Sequence, residues 1–242
     1  AAQVSMAATD PKAGRFYEDA LTRYEKRDFD GAVLQLKNAL QIDAKMLQVH
    51  LLLGKVLLAN GDVVAAEAAF VEALRLGVDR AEIVIPLGQA LIAQGKQQEF
   101  VDQQRFQVAG LPAGVQSRLL LLKSSAYSDL GNPREAMNAI DDARAADPGS
   151  LDVWLAEVPI RIRSRQFKEA FATLAKAQKI NPNAAEVHYQ LGSILHVQGD
   201  RNGALAAYDK ALSVSDGHLD ARVARAGLHV DAKRYALATK DV

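Results

Sequence analysis

The chain has 242 residues, 49% of them hydrophobic, with 29 Lys and Arg against 29 Asp and Glu, a formal net charge of zero. That length and apolar share allow a large buried core, while the missing basic excess argues against a nucleic-acid binder and no uninterrupted apolar run is long enough to span a membrane. Cysteine is absent, so the chain holds no disulfide, thiolate metal site or cysteine nucleophile, and its redox compartment stays open.

Residues 1–12, AAQVSMAATDPK, are small and polar without periodicity and predict a flexible lead of the kind left by signal cleavage or added for expression. From residue 13 onward, apolar residues recur at three- and four-residue steps in paired runs, the mark of amphipathic helix pairs. The pairs return about every 34 residues, which predicts segments 13–46, 47–80, 81–116, 117–150, 151–184, 185–218 and a partial 219–242.

In the first segment Arg27-Asp28 takes the place of the Gly-Asp that turns the second and sixth pairs. The second is the cleanest, with Leu53-Gly54, Leu57, Gly61-Asp62, Ala66, Phe70 and Ala73, and its Leu76-Gly77 suits a left-handed helix stop. The third opens with Pro86, Leu87-Gly88, Leu91 and Ile92, but its second helix departs from the pattern. Phe100 stands where a small residue belongs, and Gln104 and Gln107 replace core residues. With a loop at Leu111-Pro112-Ala113-Gly114, this is the predicted weak joint. In the fourth, Pro133 sits at the first turn of a helix, where its missing N–H costs little.

In the fifth, Glu157-Val158 replaces the Leu-Gly pair, and Pro159 falls mid-helix, where a lost hydrogen bond predicts a kink. Glu157 and Arg161, with Arg163 and Arg165 following, read as an exposed ion pair worth a few tenths of a kcal/mol or as a charged spot that clamps a partner. The sixth pairs Val187, Leu191, Ile194 and Leu195 with Ala204, Leu205, Tyr208, Ala211 and Leu212; its small Gly192, Ala204 and Ala211 let the helices interdigitate. The seventh keeps Ala226, Tyr235 and Ala238 in register and stops at Val242 without a solvating helix, which predicts a piece of a longer protein.

Nothing converges into a catalytic set. His50, His188, His196, His218 and His229 form no H-E-x-x-H, and lone histidines are mostly helix-face residues. Ser124, Ser125 and Ser128 lack the strand-turn-helix setting of a nucleophile elbow, and no phosphate-cradling glycine motif is present.

The helix-pair pattern resembles the tetratricopeptide repeat (TPR) family, W-x2-L-G-x2-Y followed by A-x3-F-x2-A and P, over nearly the whole chain. The resemblance implies an all-α, right-handed superhelical solenoid of about six and a half helix-turn-helix repeats, non-catalytic and without a cofactor. More specific phrases, FYEDALTRYEKRDFDGAVLQLKNALQID and LLLGKVLLANGDVVAAEAAFVEALRLGVDRAEIVIPLGQALIAQGK among them, are similar to the TPR-repeat lipoproteins of the PEP-CTERM/exosortase system, found beside bacterial exopolysaccharide loci. That likeness implies an exported protein, periplasmic or outer-membrane-associated, with a possible lipid anchor in the full-length form; a cytoplasmic protein stays open.

By TPR geometry the second, fifth, ninth and twelfth positions of each first helix face the concave groove. The implied partner-binding row is Leu51, Lys55, Gln89, Leu121, Ser125, Arg163, Tyr189 and His196, with Tyr189 as anchor; packing between repeats explains the aliphatic members equally well. The Lys and Asn pairs of carboxylate-clamp relatives are not in place. The expected partner is therefore a peptide or helix segment of another protein, with no nucleic acid. The alternatives are a glycan-binding module using Tyr189 and Trp154, or a helper domain of a longer enzyme.

Overall fold

A computed structural model describes residues 10–241. Among them the fold is all-helical, fourteen α-helices and one short 3-10 turn with no strand, which is the expected class. The chain divides into two compact units, one ending at Leu130 and the other starting at Gly131. The two helices of the predicted fourth repeat therefore belong to different units.

The first unit holds α1 (Pro11–Glu25), α2 (Phe29–Ile42), α3 (Leu47–Ala59), α4 (Val63–Leu76), α5 (Arg80–Ala93), α6 (Gln97–Asp102), a 3-10 turn at Gln104–Phe106 and α7 (Ala113–Asp129). The helix α1 begins inside the predicted lead, because Asp10 caps it by accepting from the Lys12 N–H at 2.8 Å and Pro11 pre-sets the first-turn φ; residues 1–9 of that lead lie outside the described residues. Likewise α5 starts at Arg80 behind the capping Asp79, so Pro86 lies inside the helix rather than at its opening.

Turns between paired helices place one residue at positive φ. Gly61 and Gly199 do this freely at 84° and 87°, whereas Arg27, Arg165 and Lys233 hold the same conformation at 61°, 56° and 57°, at a cost of roughly 1 kcal/mol each. In the second pair, a glycine on the first helix receives an aromatic ring from the second helix. A Cβ on Gly54 would lie 2.5 Å from the Phe70 ring, so only glycine permits the approach.

Phe100 does the same for the irregular third pair. It is fully buried, and a Cβ on Gly88 would meet its ring at 2.6 Å. Phe106, also fully buried, packs on it edge-on at 4.6 Å and 67°. Phe100 is thus a core residue and not a misfit at a small-residue position. The short α6 puts Phe100 on Gly88 one helical turn earlier than Phe70 meets Gly54. The segment after it is held from outside by Arg80, whose guanidinium donates to the carbonyls of Gln107 at 2.9 Å and Ala109 at 2.5 Å. Gln116 adds a bond from its side-chain amide to the Leu111 carbonyl at 2.6 Å.

The second unit holds α8 (Pro133–Ala146), α9 (Leu151–Arg163), α10 (Phe167–Ile180), α11 (Ala185–Val197), α12 (Arg201–Val214), α13 (Leu219–Asp231) and α14 (Tyr235–Ala238). Pro159 lies inside α9, which runs unbroken from Leu151 to Arg163. The sixth pair repeats the glycine–aromatic device: a Cβ on Gly192 would reach the Tyr208 ring at 2.4 Å. At the end of the unit, Asp241 is buried and bonded by both the Nε and Nη2 of Arg225, which also reaches Asp209 at 2.6 Å.

Candidate binding cleft

In the second unit the first helices of two successive pairs, α9 and α11, lie side by side. Between them opens a cleft of about 520 Å³, lined by Leu151, Asp152, Leu155, Ala156 and Pro159 from α9 and by Glu186 and Gln190 from α11. Each helix contributes residues three and four apart, so the lining is one stripe of each. The α9 stripe supplies an apolar floor, and Asp152 and Glu186 supply two carboxylates at its rim.

Glu186 is fixed in place. Its Oε1 accepts from the Gln190 side-chain amide at 2.7 Å and its Oε2 from His218 Nε2 at 3.0 Å. The other ring nitrogen, Nδ1, accepts the Ala221 N–H at 3.2 Å and caps α13. That pairing puts the His218 proton on Nε2.

Tyr189 does not line the cleft. Its ring packs 5.9 Å from Tyr208 and 5.2 Å from His218, against the core that α11 shares with α12 and α13, and burial pushes its phenol pKa up. The expected anchor therefore has a structural role as well. On the same unit, His196 is exposed in the last turn of α11 and Arg163 is exposed at the end of α9.

In the first unit, Leu51 is half-buried and packs against the main core cluster, the packing reading of that residue. Lys55 and Leu121 are half-buried, while Gln89 and Ser125 are exposed on α5 and α7.

Two further expectations meet different surroundings. Glu157 is not an exposed partner of Arg161: it is 5% exposed and accepts from Arg161 Nε at 2.9 Å, Arg144 Nη2 at 2.5 Å and Thr173 Oγ1 at 3.2 Å. The extra donors arrive from α8 and α10, and a carboxylate so buried depends on them. Trp154 carries the Arg144 guanidinium 4.3 Å and the Lys176 ammonium 4.7 Å from its ring centroid, cation–π contacts that occupy the surface a sugar would stack on. A second hollow, about 180 Å³ between α10 and α11, is lined by Phe171, Leu174, Val187, His188 and Leu191 among others. Burial, then the charge of Lys210, pushes the His188 pKa down there. Among the described residues no group of three His, Cys, Asp or Glu could hold a metal ion.

Asp152 and Gln190 are lining residues that the sequence reading did not single out. A signal was available. Asp152, Glu186 and Asp220 occupy the second position of three first helices at 34-residue intervals.

Two family profiles, both described as tetratricopeptide repeat, match residues 23–83 and residues 121–185 and 155–213, together more than half of the chain. In structure the chain is similar to a tetratricopeptide repeat protein from Parabacteroides merdae, with a TM-score of 0.77 and 15% identity over 96% of this chain and 91% of that one. It is also similar to Pseudomonas aeruginosa PilF, with a TM-score of 0.64 and 17% identity over 93% and 99%. These likenesses speak for the fold. In sequence, 182 residues, 74% of the chain, are 26% identical to human protein O-mannosyl-transferase TMTC1, and they span 20% of that protein's length. The fold is typically a non-catalytic scaffold whose members bind peptides or proteins. With its helix pairs, glycine–aromatic contacts and matching profiles, the chain belongs to the tetratricopeptide repeat family.

Proposed function

We propose that this protein is a non-catalytic scaffold that holds a polypeptide segment of a partner against the first helices of the second unit, and that it serves bacterial exopolysaccharide production or PEP-CTERM protein sorting at the cell envelope. The cleft between α9 and α11 carries the first half of this reading: an apolar floor with a few fixed polar groups at its rim suits an extended peptide or an amphipathic helix. The LKNALQ and LANGD phrases support the second half. A photo-crosslinking residue at Ala156 in the cleft should capture a discrete partner from the native envelope fraction, and the same residue at the exposed Lys168 of α10 should not. Equal capture at both positions overturns the assignment.

One observation favours a second reading. The sequence likeness to part of a protein O-mannosyl-transferase suits a repeat array that holds a protein substrate for an attached glycosyl-transferring enzyme. The partner captured at Ala156 would then be a glycosylated protein.

A further inference from the structure

We infer that the occupant of the α9–α11 cleft is an extended polypeptide segment that places a Lys or Arg side chain between Asp152 and Glu186, with apolar neighbours on the α9 floor. This rests on the reading above and names the chemistry of the segment.

Charge complementarity carries the choice. The charged residues lining the cleft are two carboxylates, with no basic residue among the lining. The Asp152 side chain is exposed and makes no hydrogen bond or ion pair with any described residue. Glu186 is held only by the Gln190 amide and by a His218 ring whose Nδ1 is an acceptor, so two neutral donors orient its charge without cancelling it. A carboxylate at a helix's second residue is favoured by the helix dipole alone. Glu186, however, directs both oxygens at Gln190 and His218 and not at the free amides of its own first turn.

A Lys or Arg of the segment would set its ammonium or guanidinium between the two carboxylates. The apolar floor of Leu151, Leu155 and Ala156 suits the aliphatic stem behind such a charge.

The repeat-equivalent positions of the first unit, Gly14, Gln48, Glu82 and Arg118, mix neutral, acidic and basic groups. Only in the second unit does the row, continued by Asp220, keep one sign.

The test uses the full chain, immobilised and panned with a phage-displayed random dodecapeptide library. The best peptide is then synthesised, its site mapped by hydrogen exchange and its affinity measured by fluorescence anisotropy. The expected peptides are enriched in Lys or Arg beside apolar residues and protect amides of α9 and α11. Their affinity falls about tenfold on Asp152→Asn/Glu186→Gln and falls with added salt. Asp152→Asn alone, at an exposed position away from the α13 cap, should give part of that loss with an unchanged melting curve. Peptides that protect α9 and α11 but lack basic enrichment, or that bind the double variant as well as the wild type, overturn the charge assignment and leave the cleft reading standing. Peptides that protect other elements, or a library from which nothing is retained, overturn both.

Discussion

Replacing Phe100 by Ala separates the repeat pattern from the structure, because the two disagree in sign. By the pattern, position 100 calls for a small residue, so Phe100→Ala restores the motif and should stabilise. In the structure Phe100 is fully buried against Gly88 and Phe106. Losing a buried Phe side chain costs about 1.5–3 kcal/mol of transfer free energy, and the cavity beside a glycine that cannot refill it raises the total to about 3–5 kcal/mol. The edge-on contact with Phe106 is part of that loss. The better helix propensity of Ala returns only about 0.5 kcal/mol. The net expectation is a destabilisation of about 3–4 kcal/mol confined to the first unit. With two units in the chain a single unfolding transition is not assured, so the assay is native-state hydrogen exchange of the α5 amides, Arg80 to Ala93, with far-UV circular dichroism in urea alongside. Faster exchange in α5 with unchanged exchange in α11 is the expected result. Unchanged or slower exchange in α5 refutes the placement of Phe100 in the core.

Other perturbations follow from the same contacts. Arg80→Ala removes the donors to the Gln107 and Ala109 carbonyls and should speed exchange between residues 103 and 111 by about tenfold, at roughly 1–1.5 kcal/mol of local stability; unchanged protection contradicts the role of Arg80. Acid should loosen the end of the second unit. The hydrogen bonds from Arg225 hold the Asp241 carboxylate below its usual pKa, so its stabilising contribution is complete above the unfolded carboxylate value near 4, and it is lost as pH falls through the lower folded value. Asp241→Asn should remove that acid dependence, as read from exchange of the α13 amides between pH 5 and 2. Glu157→Leu should cost less than Glu157→Ala, because Leu fills the buried volume that Ala leaves empty; equal urea midpoints contradict this.

The helices were legible because their physical cause is local. Apolar residues at three- and four-residue steps make an amphipathic helix wherever they occur, and the Gly54–Phe70 and Gly192–Tyr208 contacts follow from a small and a large residue at matching repeat positions. Phe100 was misread because fixed repeat spacing assumes a full second helix, and α6 ends at Asp102. Glu157 was misread because local spacing offers only Arg161, four residues on. The groups that bury it, Arg144 and Thr173, come from neighbouring helices. The groove row was legible only as helix positions. Whether a half-exposed side chain such as Tyr189 faces a ligand or the next helix depends on what the neighbour presents, here Tyr208 and His218.

The central claim is that the partner lies against the first helices of the second unit. Its most direct test is the affinity of the captured partner segment, by calorimetry, for two variants of equal bulk. Ala156→Trp fills the cleft, and Ala172→Trp adds the same ring to an exposed position on α10. Filling the cleft should weaken binding more than about tenfold, the cost of losing a contact of hot-spot size, and the α10 variant should bind as the unaltered protein does. Normal binding by Ala156→Trp together with a loss in Ala172→Trp would contradict the account.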